Sequence, residues 1–311
     1  MEWPQVCQTA LKFVPYLEKS WPAYMEEIRG VAHGANVDFE SILALNVRTE
    51  IAYGMFSDGC TALSWKSNDN SFLAQTWDWE IEQKSNLISL HIRQEVPKPT
   101  IHMITEGGII GKIGLNSSGV GVTLNAIKEQ GVNFNKLPCH LSLRAVLDST
   151  SRANAVQTIN AAGVAAACHL IVADSTGSVG LECTANDIIH MPMAALDGTE
   201  SDEGVATTHT NHFLYEHPGA KAPPYLEDSI PRLARIRELM AGSGSDGKLT
   251  PEKIEAMLMD EKGFPTSICR AETAEHIHTT IFSIVMDLKD RSARVKVGRP
   301  IAPDGFVGLR P

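Results

Sequence analysis

Residues 57–65, Ser57-Asp58-Gly59-Cys60-Thr61-Ala62-Leu63-Ser64-Trp65, mark the point where the chain changes character. Upstream, residues 1–54 read as helical. Ser20 opens a segment with Tyr24, Ile28 and Val31 at helical spacing, and Gly34 stands where that helix would stop. Asp38 has the place of an N-cap for Phe39, Ile42 and Leu45. Downstream the pattern shortens to apolar runs at 61–65, 72–77, 87–93, 101–105, 109–115 and 120–125, separated by turn residues and expected as strands. Asn116-Ser117-Ser118-Gly119 suits a hairpin between the last two.

Helical patterns return at 138–148, with Pro138 at the first helical position, and at 152–162, between Ser151 as cap and Gly163 as stop. Strands are expected near 168–173, 178–183 and 187–191. Helices follow at about 230–241 and 251–259, the second opened by Thr250-Pro251-Glu252. The segment 242–247 (GSGSDG) reads as a flexible loop, and 279–288 with 293–297 reads as a closing hairpin. Strands in blocks, then helices, then strands argue for antiparallel sheets covered by helices, an α+β class with one continuous core.

The chain has 311 residues, 43% of them hydrophobic and 21% charged, with 27 Lys and Arg against 37 Asp and Glu for a net charge of -10. No basic run is present to track phosphates, so nucleic acid is not an expected partner. No apolar run is long enough to span a bilayer. Met1-Glu2-Trp3-Pro4 lacks a basic region followed by an apolar one, and Gly308-Leu309-Arg310-Pro311 is not a peroxisomal tripeptide. A cytoplasmic location is the resulting expectation. The cysteines, at 7, 60, 139, 168, 183 and 269, show no paired spacing, and apart from Cys60 they read as small buried hydrophobes.

Cys60 sits where the helical prefix meets the first strand. A thiol inside a chain has a pKa near 8.5 and is mostly protonated at neutral pH. Were the bond after Gly59 cut, the α-amine of Cys60 would be freed. With a pKa of about 7.7–8.0 it could take the thiol proton. Nucleophile and base would then belong to one residue. Gly59 suits the cut because it can adopt backbone angles closed to other residues. From these residues alone a second reading stays open: a buried structural cysteine behind an ordinary Asp-Gly turn.

Further motifs accompany DGCT at 58–61. They are residues 21–53 (WPAYMEEIRGVAHGANVDFESILALNVRTEIAY), Trp77-Asp78, residues 105–126 (TEGGIIGKIGLNSSGVGVTLNA), HTNH at 209–212, FPTSICRA at 264–271 and GRP at 298–300. In this order the set resembles the fungal isopenicillin N acyltransferases, self-processing enzymes with an N-terminal nucleophile. The resemblance implies a four-layer αββα sandwich of two antiparallel sheets. It implies a precursor cut into a 1–59 α chain and a 60–311 β chain that stay together as a heterodimer in one domain. It also implies acyl transfer from an acyl-CoA co-substrate to an amine acceptor, as in penicillin biosynthesis, with no tightly bound cofactor.

Carried over residue by residue, Cys60 is the nucleophile, and Asp78 holds its freed amine. Asn211 donates its side-chain amide to the oxyanion, and Arg270 orders the site electrostatically, with Arg232 as a rival for that role. By analogy with related amide hydrolases, Asn125 offers its backbone N–H to the same oxyanion. The alternatives are a capping Asp78, a loop-bonding Asn211 and an Arg270 in a surface ion pair.

The chain also departs from the family. It reads Cys60-Thr61-Ala62 where the family resembles Cys-Thr-Thr, so one hydroxyl that could assist the cut is missing. Its prefix is shorter, without the opening Gly- and His-containing segment. In the bile-salt and penicillin V hydrolase branch an arginine lies three residues before the aspartate; Gln75 holds that place here, which favours the acyltransferase branch.

His209, His212 and His217 fit no common zinc spacing, and no metal is expected. Gly107-Gly108 through Gly111-Lys112 lacks the Ser or Thr of a phosphate loop and reads as close backbone packing. No Gly-x-Ser-x-Gly is present, against a serine hydrolase. Beside acyl transfer, two functions remain as alternatives: a plain amide hydrolase, and an uncleaved, non-catalytic binding homologue.

Overall fold

The two-residue alternation that starts at Cys60 sorts side chains between two layers. In β1 (Gly59–Ser67), Cys60 and Ala62 join one apolar cluster while Leu63 and Trp65 join another. The computed structural model describes residues 1–52, 59–67, 70–195, 205–220, 227–243 and 250–311. Two seven-stranded sheets organise these residues. From edge to edge the first runs β10 (Ala194–Ala195), β11 (Val205–His209), β1, β2 (Asn70–Glu80), β12 (His278–Asp287), β13 (Ser292–Val297) and β14 (Gly305–Leu309). The second runs β3 (Leu87–Ile92), β4 (Ile101–Glu106), β5 (Ile113–Asn116), β6 (Gly121–Ala126), β7 (Cys168–Asp174), β8 (Gly177–Cys183) and β9 (Ile188–Pro192). Within both sheets the named strands of the described residues pair antiparallel.

Helices close the outer faces. On the second sheet lie α1 (Trp3–Leu11), α2 (Val14–Ser20), α3 (Pro22–Ala35), α4 (Phe39–Asn46), α5 (Arg48–Ile51), α6 (Cys139–Leu147) and α7 (Arg152–Ala162). On the first lie α8 (Ser229–Ser243) and α9 (Pro251–Leu258). In β7, Leu170 and Val172 face the helices while Ile171 and Ala173 face the other sheet. The result is the expected four-layer αββα sandwich. Among the described residues no helix is long and apolar enough to cross a membrane.

The elements follow the sequence closely, with corrections. The helix opened near Ser20 runs past Gly34 and ends on Asn36, whose left-handed φ of 54° asparagine tolerates. Asp38 stands at the N-cap of α4, yet its side chain makes no capping bond; Ser151 and Thr250 do cap, accepting from Asn154 N and Lys253 N. Pro138 is the N-cap residue and not the first helical one. The strand expected over 109–115 starts only at Ile113, because Gly111 lies directly against the His140 carbonyl of α6, where a Cβ would collide. β10, β11 and β14 carried too little apolar alternation to be read. The GSGSDG segment falls mostly outside the described residues.

Residues 1–52 are built into the core. Phe13, Leu17, Met25, Ile28, Leu43 and Val47 are fully buried in the cluster shared with the second sheet. Burial of each such side chain is worth about 1.5–3 kcal/mol. Polar ties add direction: Asn46 donates to Gly108 O at 2.8 Å and accepts from Ile110 N at 2.9 Å, and Glu50 accepts from Cys139 N at 2.7 Å.

Candidate active site

Pairing of β1 with β2 sets Gly59 opposite Asp78 and Cys60 opposite Trp77. Alternation then separates the two chemistries. Cys60 and Trp77 point between the sheets, and Asp78 points to the other face, below α8. The backbone of Cys60 is gripped from both sides: its N–H donates to Asn211 Oδ1 at 2.9 Å, and its carbonyl accepts from Arg232 Nη1 at 2.7 Å.

Asp78 is fully buried. Its Oδ1 accepts from Thr280 Oγ1 at 2.6 Å; its Oδ2 lies 3.4 Å from Arg270 Nε and has no hydrogen-bond donor among the described residues. Burial raises its pKa, against the pull of Arg270, Arg232 and the Thr280 hydroxyl. Arg270 also meets Asp228, which takes a second bond from Arg232 Nε at 3.1 Å. Two carboxylates and two guanidiniums thus form one buried network, ending in the Arg232 Nη2 bond to Asn211 Oδ1 at 2.8 Å. Both arginines expected as rivals are present, with different jobs: Arg270 faces Asp78, and Arg232 faces Cys60 and Asn211. Asp228 was missed, its only sequence signal being the i, i+4 spacing to Arg232.

Gly59 is not needed for an unusual φ, since it is not among the glycines with positive values. Space is the reason. A Cβ there would stand 2.6 Å from Asp78 Oδ2 and 2.9 Å from Arg270 Nη2. Were the chain cut after Gly59, as the resemblance implies, Gly59→Val should slow the cut by about 5- to 150-fold, the equivalent of 1–3 kcal/mol of overpacking. The fraction of uncut chain against time measures it, and cleavage at the parent rate would remove the packing argument.

Asn211 directs its oxygen, not its amide nitrogen, at Cys60. Two donors, Cys60 N and Arg232 Nη2, converge on Oδ1, while Nδ2 donates to Ala126 O at 3.0 Å. An amide nitrogen carries two N–H groups, so one remains for another acceptor. The loop itself is clamped: Asn211 N donates to Ser229 Oγ at 2.8 Å. Glu182, buried on β8, accepts from Leu214 N at 2.7 Å and Tyr215 N at 3.1 Å. The same carboxylate meets His209 Nε2 at 2.8 Å and His217 Nε2 at 3.3 Å. These partners hold the Glu182 pKa below the usual range despite burial. The histidines of this segment thus anchor the loop to a carboxylate, and the described residues contain no cluster suited to a metal ion.

Asn125 is buried, with Oδ1 3.3 Å from His169 Nδ1. Its expected contribution was a backbone N–H. β5 pairs with β6 only at Val122 and Gly121, and beyond that end Gln75 occupies the free edge. Gln75 Oε1 accepts from Leu124 N at 3.0 Å, and Gln75 Nε2 donates to Leu124 O. Ladder alternation then turns the Asn125 N–H toward β7 and the Ala126 N–H toward the Asn211 side.

A second charged group lies between the sheets. Lys112, 1% exposed, places Nζ 2.6 Å from Glu106 Oε2 and 3.1 Å from the centre of the Trp77 ring. Arg48 reaches the other oxygen of Glu106 at 2.6 Å. The pair drives Glu106 down to about 2, and burial brings Lys112 down to about 7.

A family profile described as "Acyl-coenzyme A:6-aminopenicillanic acid acyl-transferase" matches residues 65–302, beginning five residues after Cys60. The chain is 40% identical over 293 residues to the "Acyl-coenzyme A:6-aminopenicillanic-acid-acyltransferase 40 kDa form" of Emericella nidulans, covering 93% of this chain and 78% of the relative. Among solved structures it resembles a Caenorhabditis elegans N-acylethanolamine-hydrolyzing acid amidase ortholog, with TM-score 0.51 and 16% identity over 79% of this chain and 94% of that one. A variant of conjugated bile acid hydrolase from Clostridium perfringens gives TM-score 0.52 and 14% identity, over 81% and 92%. At these identities the likeness to the solved structures concerns the fold.

Proposed function

The chain belongs to the acyl-coenzyme A:6-aminopenicillanic acid acyl-transferase family, and from that premise we propose that Cys60, freed by a cut after Gly59, carries acyl groups from a coenzyme A thioester to an amine. The observation that carries this reading is the buried Asp78 oxygen that has no donor and lies against the Gly59–Cys60 junction. Arg270 Nε already stands 3.4 Å from that oxygen but makes no hydrogen bond to it, so the oxygen can still accept one from an ammonium placed at the junction. The freed amine of Cys60 supplies one, and Asp78 then fixes it in reach of its own thiol.

The cycle is a two-step acyl transfer. The thiolate attacks the acyl-CoA carbonyl, coenzyme A leaves, and an amine resolves the resulting thioester. Water competes for the same thioester, so amide hydrolysis is the side outcome of one chemistry. Charge on the tetrahedral oxygen is met by the remaining N–H of Asn211, with the Ala126 N–H, next to Asn125, as the second donor. Arg232 keeps Asn211 aimed, and Arg270 balances Asp78. Acyl-CoA is a co-substrate, and 6-aminopenicillanate is the acceptor to try first. Gln75, its side chain spent on Leu124, leaves the place of the hydrolase-branch arginine neutral.

Denaturing electrophoresis should show two fragments, and sequencing of the larger should begin Cys60-Thr61-Ala62. Because the prefix helices form part of the core, both fragments should elute together under native conditions. An intact chain active in amine-dependent release of coenzyme A would remove the amine base. An intact and inactive chain would favour the binding homologue.

A further inference from the structure

Self-cleavage poses a problem that turnover does not. The base that serves the mature enzyme, the α-amine of Cys60, is an amide nitrogen until the cut is made, and that N–H is given to Asn211. Something else must take the thiol proton first. The Cys60 side chain points between the sheets beside Trp77, its cross-strand partner. The nitrogen seated on that ring, 3.1 Å from its centre, is Lys112 Nζ, near enough to Cys60 for the two groups to interact electrostatically.

We propose that Lys112, held between Trp77 and Glu106, takes the Cys60 thiol proton and returns it during self-cleavage. The inference rests on the reading that Cys60 cuts its own chain. The neutral lysine accepts the proton from sulfur, and the thiolate attacks the Gly59 carbonyl carbon. The tetrahedral oxyanion collapses with cleavage of the Gly59–Cys60 C–N bond, and the Lys112 ammonium protonates the leaving amine. A thioester joining Gly59 to the Cys60 sulfur remains, and water hydrolyses it to the Gly59 carboxylate and the free thiol. From that moment the amine replaces Lys112.

The surroundings suit a proton carrier. Burial presses Lys112 down to about 7, near neutrality, while Glu106 supports the charged form and Arg48 opposes it. His140, the other titratable group of this cluster, has its pKa pushed well below the usual range by burial and by Arg48 and Lys112; its Nδ1 lies 3.1 Å from Gly111 O. Arg48 belongs to the prefix, so the segment to be cut off helps to set the base that cuts it.

The test follows cleavage of freshly synthesised chain by denaturing electrophoresis across pH 6–9. Turnover is measured separately per cut molecule, counted from the fragment bands on the same gels. In Lys112→Met, cleavage should slow by about 100-fold, within the 10²–10⁴ range of general acid–base catalysis. Turnover per cut chain should fall by a much smaller factor, below about fivefold. Lys112→Arg keeps the charge but not the ability to give up a proton, so it should be as slow as Met. The parent chain should show a cleavage rate that rises and then levels near neutral pH.

Rescue by arginine would replace proton transfer with simple charge and overturn the proposal. So would equal losses in cleavage and turnover, or a parent profile that climbs steadily with hydroxide; the last needs no variant to fold. If parent and variants cut equally fast, this proposal alone fails. If the parent never cuts, the reading beneath it fails as well.

Discussion

Cys60→Ala should leave the chain whole and without measurable acyl transfer. In the proposed mechanism one sulfur performs both attacks, first on the Gly59 carbonyl and later on the acyl donor, so no second group can cover the loss. The fold should survive. Cys60 is a small side chain in a layer also filled by Ala62, Leu73, Trp77, Ile113 and Phe282, and truncation to alanine removes a single atom. Its backbone bonds to Asn211 and Arg232 do not involve the thiol. Thermal melting should therefore change little while both activities vanish. Cys60→Ser should still cut slowly, since a hydroxyl can attack but ionises far less readily than a thiol. Undiminished coenzyme A release by Cys60→Ala would remove the mechanism altogether.

Asn211→Ala should lower kcat by about 10²–10³-fold with little change in KM, the usual loss for one donor aimed at charge that develops only in the transition state. Self-cleavage should slow too, because it passes through its own oxyanion. The structure adds a second consequence. Alanine removes the acceptor shared by Cys60 N and Arg232 Nη2, so part of the buried guanidinium loses its partner.

Asn211→Asp separates the two effects. Aspartate keeps an acceptor for both donors, but it sets a second oxygen against Ala126 O where an N–H now donates at 3.0 Å. It also turns an anion toward the oxyanion. If donation is the role, aspartate should be at least as damaging as alanine. If aspartate restores turnover, Asn211 serves only to hold Arg232 and the strand. A raised KM with kcat intact in Asn211→Ala would make it a substrate-binding residue.

Much of the architecture was legible because it is written in local periodicity. The change from helical spacing to two-residue alternation at Cys60 is visible within ten residues, and so are the caps at Ser151 and Thr250. The proximity of Asp78 to Cys60 was legible as well, since both lie in one hairpin and Gly59 falls directly opposite Asp78. Where the reading slipped, packing had overridden a local rule, as at Gly111, where a close approach to α6 delays β5. Beside Leu124, the end of β5 lets Gln75 fill the ladder edge, a contact no sequence pattern marks.

By itself, then, the sequence marked the antiparallel strands and covering helices, the start of the strand that carries Cys60 and the glycine before it, since each depends on residues close together in the chain. Tertiary structure alone decided which atoms the distant groups present to Cys60 and its neighbours. Asn211 comes to Cys60 from 151 residues away and Arg232 from 172, Glu182 ties down His209 and His217, and Lys112 reaches the Trp77 ring from the stretch just before β5, which the apolar pattern had assigned to a strand. Such partners leave no periodic trace. The cost of burying a charge is relieved only where the folded chain brings an opposite charge or a hydrogen bond to it, and that pairing exists in space and not along the sequence.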